Sequence, residues 1–207
     1  MAFSFLSLSC SVVGVRSEET PKYQVLTSAG DKEIRSYAKH VIAKTTVQGD
    51  YKETQGEAFR RLAGYIFGKN EKRQKLSMTA PVGQEKQTAN QKLAMTAPVA
   101  QSQSEEGWVM TFMMPSEFEL SELPIPTDTR VSLEEIPPRI LGTLRFSGSR
   151  DEAHNQEKAK ELKSWLANNK QYEISSEPIF AGYDPPWTLP FFRRNEVMLE
   201  LRPKTEK

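Results

Sequence analysis

At 207 residues with 37% hydrophobic side chains, the chain can build one sizeable core but cannot be apolar throughout. Its 28 basic and 27 acidic residues leave a net charge of +1, too little to gather nucleic acid or an anionic membrane. Cys10 is the only cysteine and His40 and His154 are the only histidines, which excludes an intramolecular disulfide, cysteine-rich zinc sites and cysteine-ligated iron–sulfur clusters.

The first fifteen residues, MAFSFLSLSCSVVGV, are small and apolar but too short and too interrupted by serine to span a bilayer. They resemble the core of a secretory signal without the usual preceding Lys or Arg. Cys10 invites a lipidated mature N-terminus in the cell envelope, although Ser7 stands where an aliphatic residue is usual. Lipidation, secretion and a frayed tail on a cytoplasmic chain all stay open for residues 1–19. From there on, 20–203 reads as one domain.

Tyr23–Ala29 and Lys32–Tyr37 read as two short strands about an Ala-Gly-Asp turn. In His40–Gln48, Val41, Ala43, Thr45 and Val47 alternate with more polar residues, which predicts a strand with one buried face. The period then changes. Phe59, Leu62, Ala63 and Ile66 fall at helical spacing, predicting a helix over Thr54–Phe67 that Gly68 ends. A basic run follows, with Lys69, Lys72, Arg73 and Lys75. KLSMTAPV at Lys75–Val82 and KLAMTAPV at Lys92–Val99 predict a long hairpin about the polar stretch GQEKQTANQ, with Pro81 and Pro98 at strand ends. Trp108–Met114 is an apolar strand, and Pro115–Thr129 is an extended connection.

The second half follows the first. Val131–Glu135 and Ile140–Ser147 read as strands, Asp151–Asn169 as a helix with Ala159, Leu162 and Leu166 on one face, and Pro178–Tyr183 and Glu196–Leu201 as final strands. Glu33–Ala38 aligns with Glu135–Ile140. In both halves a strand, a glycine (Gly49, Gly148) and a helix come next. This order predicts an α+β fold of two strand–strand–helix–strand units, at about 20–100 and 108–203, packed about a pseudo-dyad.

Four segments, YQVL with KEIRSYA, the KLSMTAPV/KLAMTAPV pair, VMTFMMPSEF, and AGYDPPWTLPFFRRNEVMLEL, together resemble the SOUL/haem-binding-protein family from about Tyr23 to Arg202. The resemblance implies an internally duplicated, antiparallel, eight-stranded sheet or distorted barrel flanked by two helices. It also implies a non-covalently held haem or other tetrapyrrole as the ligand. Some animal members place a histidine, considered as an axial ligand, inside the IR-x-Y segment. Here Ser36 occupies that place, a poor iron ligand, and the role does not pass to His40.

The resemblance implies a pocket between the first helix and the loop before the last strand. The candidate contacts are Phe59, Leu62 and Ile66 on the helix, Lys72 and Arg73 after it, Met78, and Trp187, Phe191, Arg193 and Arg194 in the loop. Aromatic residues suit a macrocycle and the cations suit its carboxylates. The same aromatics could instead cap the barrel, and the basic run could simply be solvated.

Phosphate loops, nucleophile elbows and HExxH motifs are missing, so a binding protein is expected rather than an enzyme. The expected partner is a small, planar, hydrophobic ligand. The alternatives are a general small-molecule effector-binding module and a protein-interaction or envelope structural role. Oligomeric state is left undetermined by the sequence.

Overall fold

The computed structural model describes residues 18–87, 107–185 and 187–204. The hairpin of β1 (Tyr23–Ala29) and β2 (Lys32–Tyr37) forms where the turn residues predict. Gly30 takes φ 63° there, which a side chain would strain. β3 (His40–Gln48) buries Val41, Ala43, Thr45 and Val47 in alternation.

The first helix, α1 (Tyr51–Ile66), starts one residue after Asp50, a turn earlier than the aliphatic stripe predicts. Tyr51 and Thr54 carry the buried face back to the first turn, because their ring and methyl pack as apolar surface. Gly68, at φ 105°, ends it.

The long hairpin is the main correction. Lys75–Pro81 is not a strand; its one ladder contact is the parallel bridge of Thr79 to Glu19. The strand is instead β4 (Val82–Gln87), the polar stretch read as a loop. Pro81 has no N–H for a ladder, so pairing begins only after it. The second copy, Lys92–Val99, lies outside the described residues, as does Cys10.

The partner of β4 is β5 (Gly107–Met113). Then come β6 (Val131–Ile136), β7 (Arg139–Phe146), α2 (Glu152–Ala167), β8 (Tyr172–Ile174), β9 (Ile179–Gly182) and β10 (Asn195–Pro203). β8 has three half-buried residues and gave no pattern to read. A single 3₁₀ turn, Pro190–Phe192, precedes β10. Asp151 caps α2 by accepting from the His154 N–H at 2.9 Å.

The strands pair antiparallel in the order β1-β2-β7-β10-β9-β4-β5-β3-β6, with β8 alongside β10. This curled sheet is a half-barrel, its edge strands β1 and β6 lying at opposite ends of the order. With β1 set aside, the order reads alike from both ends: β2, β7, β10 and β9 answer β6, β3, β5 and β4. Eight strands thus form the duplicated sheet, and β1 and β8 are additions. The glycines matched between the halves both take positive φ, 119° at Gly49 and 106° at Gly148, and each precedes an Asp that starts a helix.

Each helix covers its own half of the sheet. Leu62, Ala63 and Ile66 of α1 pack on Val41, Ala43, Met110 and Phe112, while Ala159, Leu162 and Leu166 of α2 pack on Ile34, Leu144, Val197 and Leu199. A smaller cluster with Tyr37, Leu141, Tyr183 and Met198 forms apart from both. Among the described residues no helix is long and apolar enough to cross a membrane.

Candidate functional site

Two helices that each cover one half of a sheet leave its central seam bare. Here the seam is the β4–β9 ladder, in which Val82 faces Gly182 and Gln84 faces Phe180. A cavity of about 660 Å³ lies there, within the roughly 300–1,000 Å³ typical of small-molecule sites. Both of these residue pairs line it, as the period of two along a strand requires. Tyr51, Gln55, Gly56 and Phe59 of α1 form one wall, and Phe146, Arg150 and Asn155 form the opposite one. Met78–Ala80 and Tyr183–Pro185 with Trp187 close the ends, and Met110 reaches in from β5.

The first turns of the two helices are tied together at this cavity. Tyr51 Oη donates to the Arg150 carbonyl at 3.1 Å and accepts from Asn155 Nδ2 at 2.9 Å. Holding the Arg150 backbone in this way sends its side chain across Gly182, where an added Cβ would overlap Nη1. Among the described residues the Arg150 guanidinium makes no hydrogen bond or ion pair. Burial and then the charge of Arg193 lower its pKa, while Tyr51 and Asp184 act in the opposite direction.

A buried ion cluster borders the cavity through Tyr183 and Glu196. Glu196 is fully buried and accepts from Arg35 Nη1 at 2.8 Å, Arg194 Nη2 at 2.7 Å and Tyr183 Oη at 2.9 Å. Arg35 also donates to Glu33 at 2.6 Å and to Tyr37 Oη at 3.0 Å. Its guanidinium lies 4.4 Å over the Tyr23 ring, and that of Arg194 lies 4.0 Å over Tyr183.

Burial opposes ionisation of Glu196, but hydrogen bonds and charge from Arg35, then Arg194, hold its carboxyl below the ordinary range. Burial, and after it the charge of Glu196, pushes Tyr183 well up; the same two causes push the Tyr37 hydroxyl to about 12 against the pull of Arg35. The carboxylate of Glu196 is therefore saturated by its partners rather than offered to a ligand.

The structure separates the sequence-predicted site residues. Phe59, Met78 and Trp187 line the cavity, and Trp187 is 64% exposed at its mouth. Leu62 and Ile66 do not line it; they point into the core beneath α1, because a helix facing a sheet gives its central stripe to the sheet. Lys72 and Arg73 stand exposed on a loop organised by buried Asn70, which bonds the carbonyls of Tyr65 and Gln74.

Phe191 is 65% exposed and stacks on Phe192 at 4.5 Å, outside the cavity. Arg193 donates to the Thr188 carbonyl at 2.7 Å, and Arg194 is committed to Glu196. Tyr51, Arg150, Asn155 and the seam residues of β4 and β9 were missed. The glycine matched before each helix, Gly49 and Gly148, was the available signal that the two first turns are equivalent.

No histidine lines the cavity among the described residues. His40 borders a separate cavity of about 90 Å³, with Nδ1 3.0 Å from the Ala38 carbonyl. Burial lowers its pKa, helped by the charge of Arg139 and opposed by that carbonyl. His154 is half-buried and packed edge-on against Phe146 at 5.4 Å. Among the described residues no three His, Cys, Asp or Glu side chains are grouped to hold a metal ion.

The SOUL heme-binding protein family matches residues 18–200. The chain belongs to that family. It is 30% identical over 190 residues to heme-binding protein 1 of Sus scrofa, covering 88% of this chain and 93% of that one. It is also 30% identical over 188 residues to heme-binding protein 2 of Homo sapiens, covering 87% and 85%. An uncharacterized conserved protein from Listeria innocua shares the fold, with a TM-score of 0.60 and 10% identity over 83% of this chain and 92% of that one.

The family's segments converge in space. Arg35 and Tyr37 come from KEIRSYA, Tyr183 and Asp184 from AGYDPPW, and Arg194 and Glu196 from RRNEV; all but Asp184 belong to the ion cluster. Asp184 accepts the Arg194 N–H at 2.5 Å, which fixes the loop that ends the cavity. These segments of this SOUL chain therefore build the floor on which the cavity rests.

Proposed function

We propose that this chain is a non-enzymatic module that binds haem or another tetrapyrrole non-covalently in the cavity over the β4–β9 seam, as a carrier or buffer. The observation that carries the reading is the apolar cavity itself, open between two helices in a member of the SOUL heme-binding protein family. Phe59, Phe146, Phe180 and Trp187 suit a flat macrocycle, and two relatives of similar length are named for heme binding. When bound, haem would supply an iron centre. The soft donors within the lining are the thioethers of Met78 and Met110, which are weak ligands.

A carrier rather than a catalyst is supported by the state of Glu196, whose oxygens are taken up by Arg35, Arg194 and Tyr183, leaving no poised base there. The net charge of +1 supports a small ligand over nucleic acid. Of the residues first put forward as contacts, Phe59, Met78 and Trp187 are retained.

Titration of the apoprotein with haemin should give a saturable shift of the Soret band at micromolar protein. A linear, unsaturable response would end this reading. A second reading, a general module for flat apolar effectors, is favoured by the cavity's want of a histidine among the described residues. It predicts that metal-free protoporphyrin and unrelated aromatic compounds displace haemin at equal concentrations.

A further inference from the structure

Among the described residues, Arg150 is the one cation lining the cavity. An arginine stays charged under any ordinary condition and has five N–H donors to satisfy. Other arginines near the cavity are satisfied within the fold: Arg194 by Glu196, Arg35 by Glu196 and Glu33, and Arg193 in part by the Thr188 carbonyl. Arg150 makes no such bond among the described residues. Asp184, also in the lining, acts on it by charge.

The fold holds this guanidinium in place. Tyr51 and Asn155 bond its backbone carbonyl from two different helices. Gly182, by having no side chain, makes the space over β9 that the guanidinium occupies. The surrounding wall is aromatic, from Phe146, Phe180 and Tyr183, which lowers the local dielectric and strengthens any charge-assisted bond made there.

We infer that Arg150 is the carboxylate-recognising residue of the cavity, so that the ligand is an apolar body bearing an acid group directed at the start of α2. The inference rests on the reading of the cavity as a ligand site and adds the acid as a requirement. It extends equally to a tetrapyrrole propionate and to any other flat apolar acid.

Two acid–ester pairs test it: haemin against haemin dimethyl ester, and 1-pyrenebutyric acid against its methyl ester, on the full chain and on Arg150→Met. Wild type should prefer each acid by about tenfold or more, the size of a bond to a charged group. Arg150→Met should bring acid and ester within about twofold while leaving ester affinity unchanged. Gly182→Ala, which would push the guanidinium off β9, should lose the same preference and serves if Arg150→Met does not fold.

Equal binding of acid and ester by wild type, or an acid preference that survives both substitutions, would overturn the assignment. If haemin fails to bind but pyrenebutyric acid shows the Arg150-dependent preference, the tetrapyrrole reading falls and the carboxylate site stands. If neither pair binds, both fall.

Discussion

Glu196 borders the cavity, yet its oxygens are taken up by the fold itself. It is fully buried, yet ionised, because two guanidiniums and a phenol surround it. Replacing it with Gln would leave Arg194 facing Arg35 with no shared anion between them, Arg35 keeping only Glu33. We expect Glu196→Gln to cost about 3–5 kcal/mol in urea unfolding, the range for breaking one side of a buried pair. Its pKa is lowered from an ordinary value of 4.5. The stabilisation is therefore complete above pH 4.5 and is lost as pH falls through the lower, folded-state value. Unfolding midpoints of the wild type should drop in that acid window. Those of Glu196→Gln should vary less there, and an equal acid slope in both proteins would refute the assignment. The sequence showed the RRNEV block as candidate ligand cations. It could not show that Arg35, some 161 positions away, closes the pair.

At the scale of elements, legibility followed burial. β3 and α2 were readable because each gives one face to a core, so their apolar residues alternate or recur on one stripe. β4 was unreadable because it lies at the sheet centre with Gln84 facing the cavity, which removes the alternation that marks a strand. The packing of α2 on the sheet is close enough to predict a cost. A Cβ at Gly142 of β7 would lie 2.8 Å from Leu166 Cδ1 and 3.1 Å from Cδ2. Gly142→Ala should therefore destabilise by about 1–3 kcal/mol through overpacking, although alanine is the better strand residue. The same substitution made on Leu166→Ala should cost clearly less. Additive free energies of unfolding in that double-mutant cycle would mean the contact is not what limits the site.

For the molecule as a whole, duplication explains why a cavity exists at all. Two sheet-and-helix units joined edge to edge bring β4 against β9, and neither helix reaches over that join. The site thus belongs to the arrangement rather than to a motif, which is why the motifs pointed to its floor and its loop but not to its walls. Such a cavity should be separable from stability, since no core cluster depends on its being empty. Gly56 allows the separation to be tested: it sits exposed on α1, borders the cavity, and an added Cβ would meet only Arg60 Nη1 at 3.4 Å. Gly56→Leu replaces a poor helix residue with a good one and should stabilise α1 by roughly 0.5–1 kcal/mol. Its side chain also takes space that a macrocycle would need, so haemin affinity should fall by about tenfold or more, equivalent to 1.4 kcal/mol. Thermal unfolding read beside a Soret titration measures both effects on one sample. A variant that is more stable and binds haemin as well as the wild type would place the ligand somewhere other than over the seam.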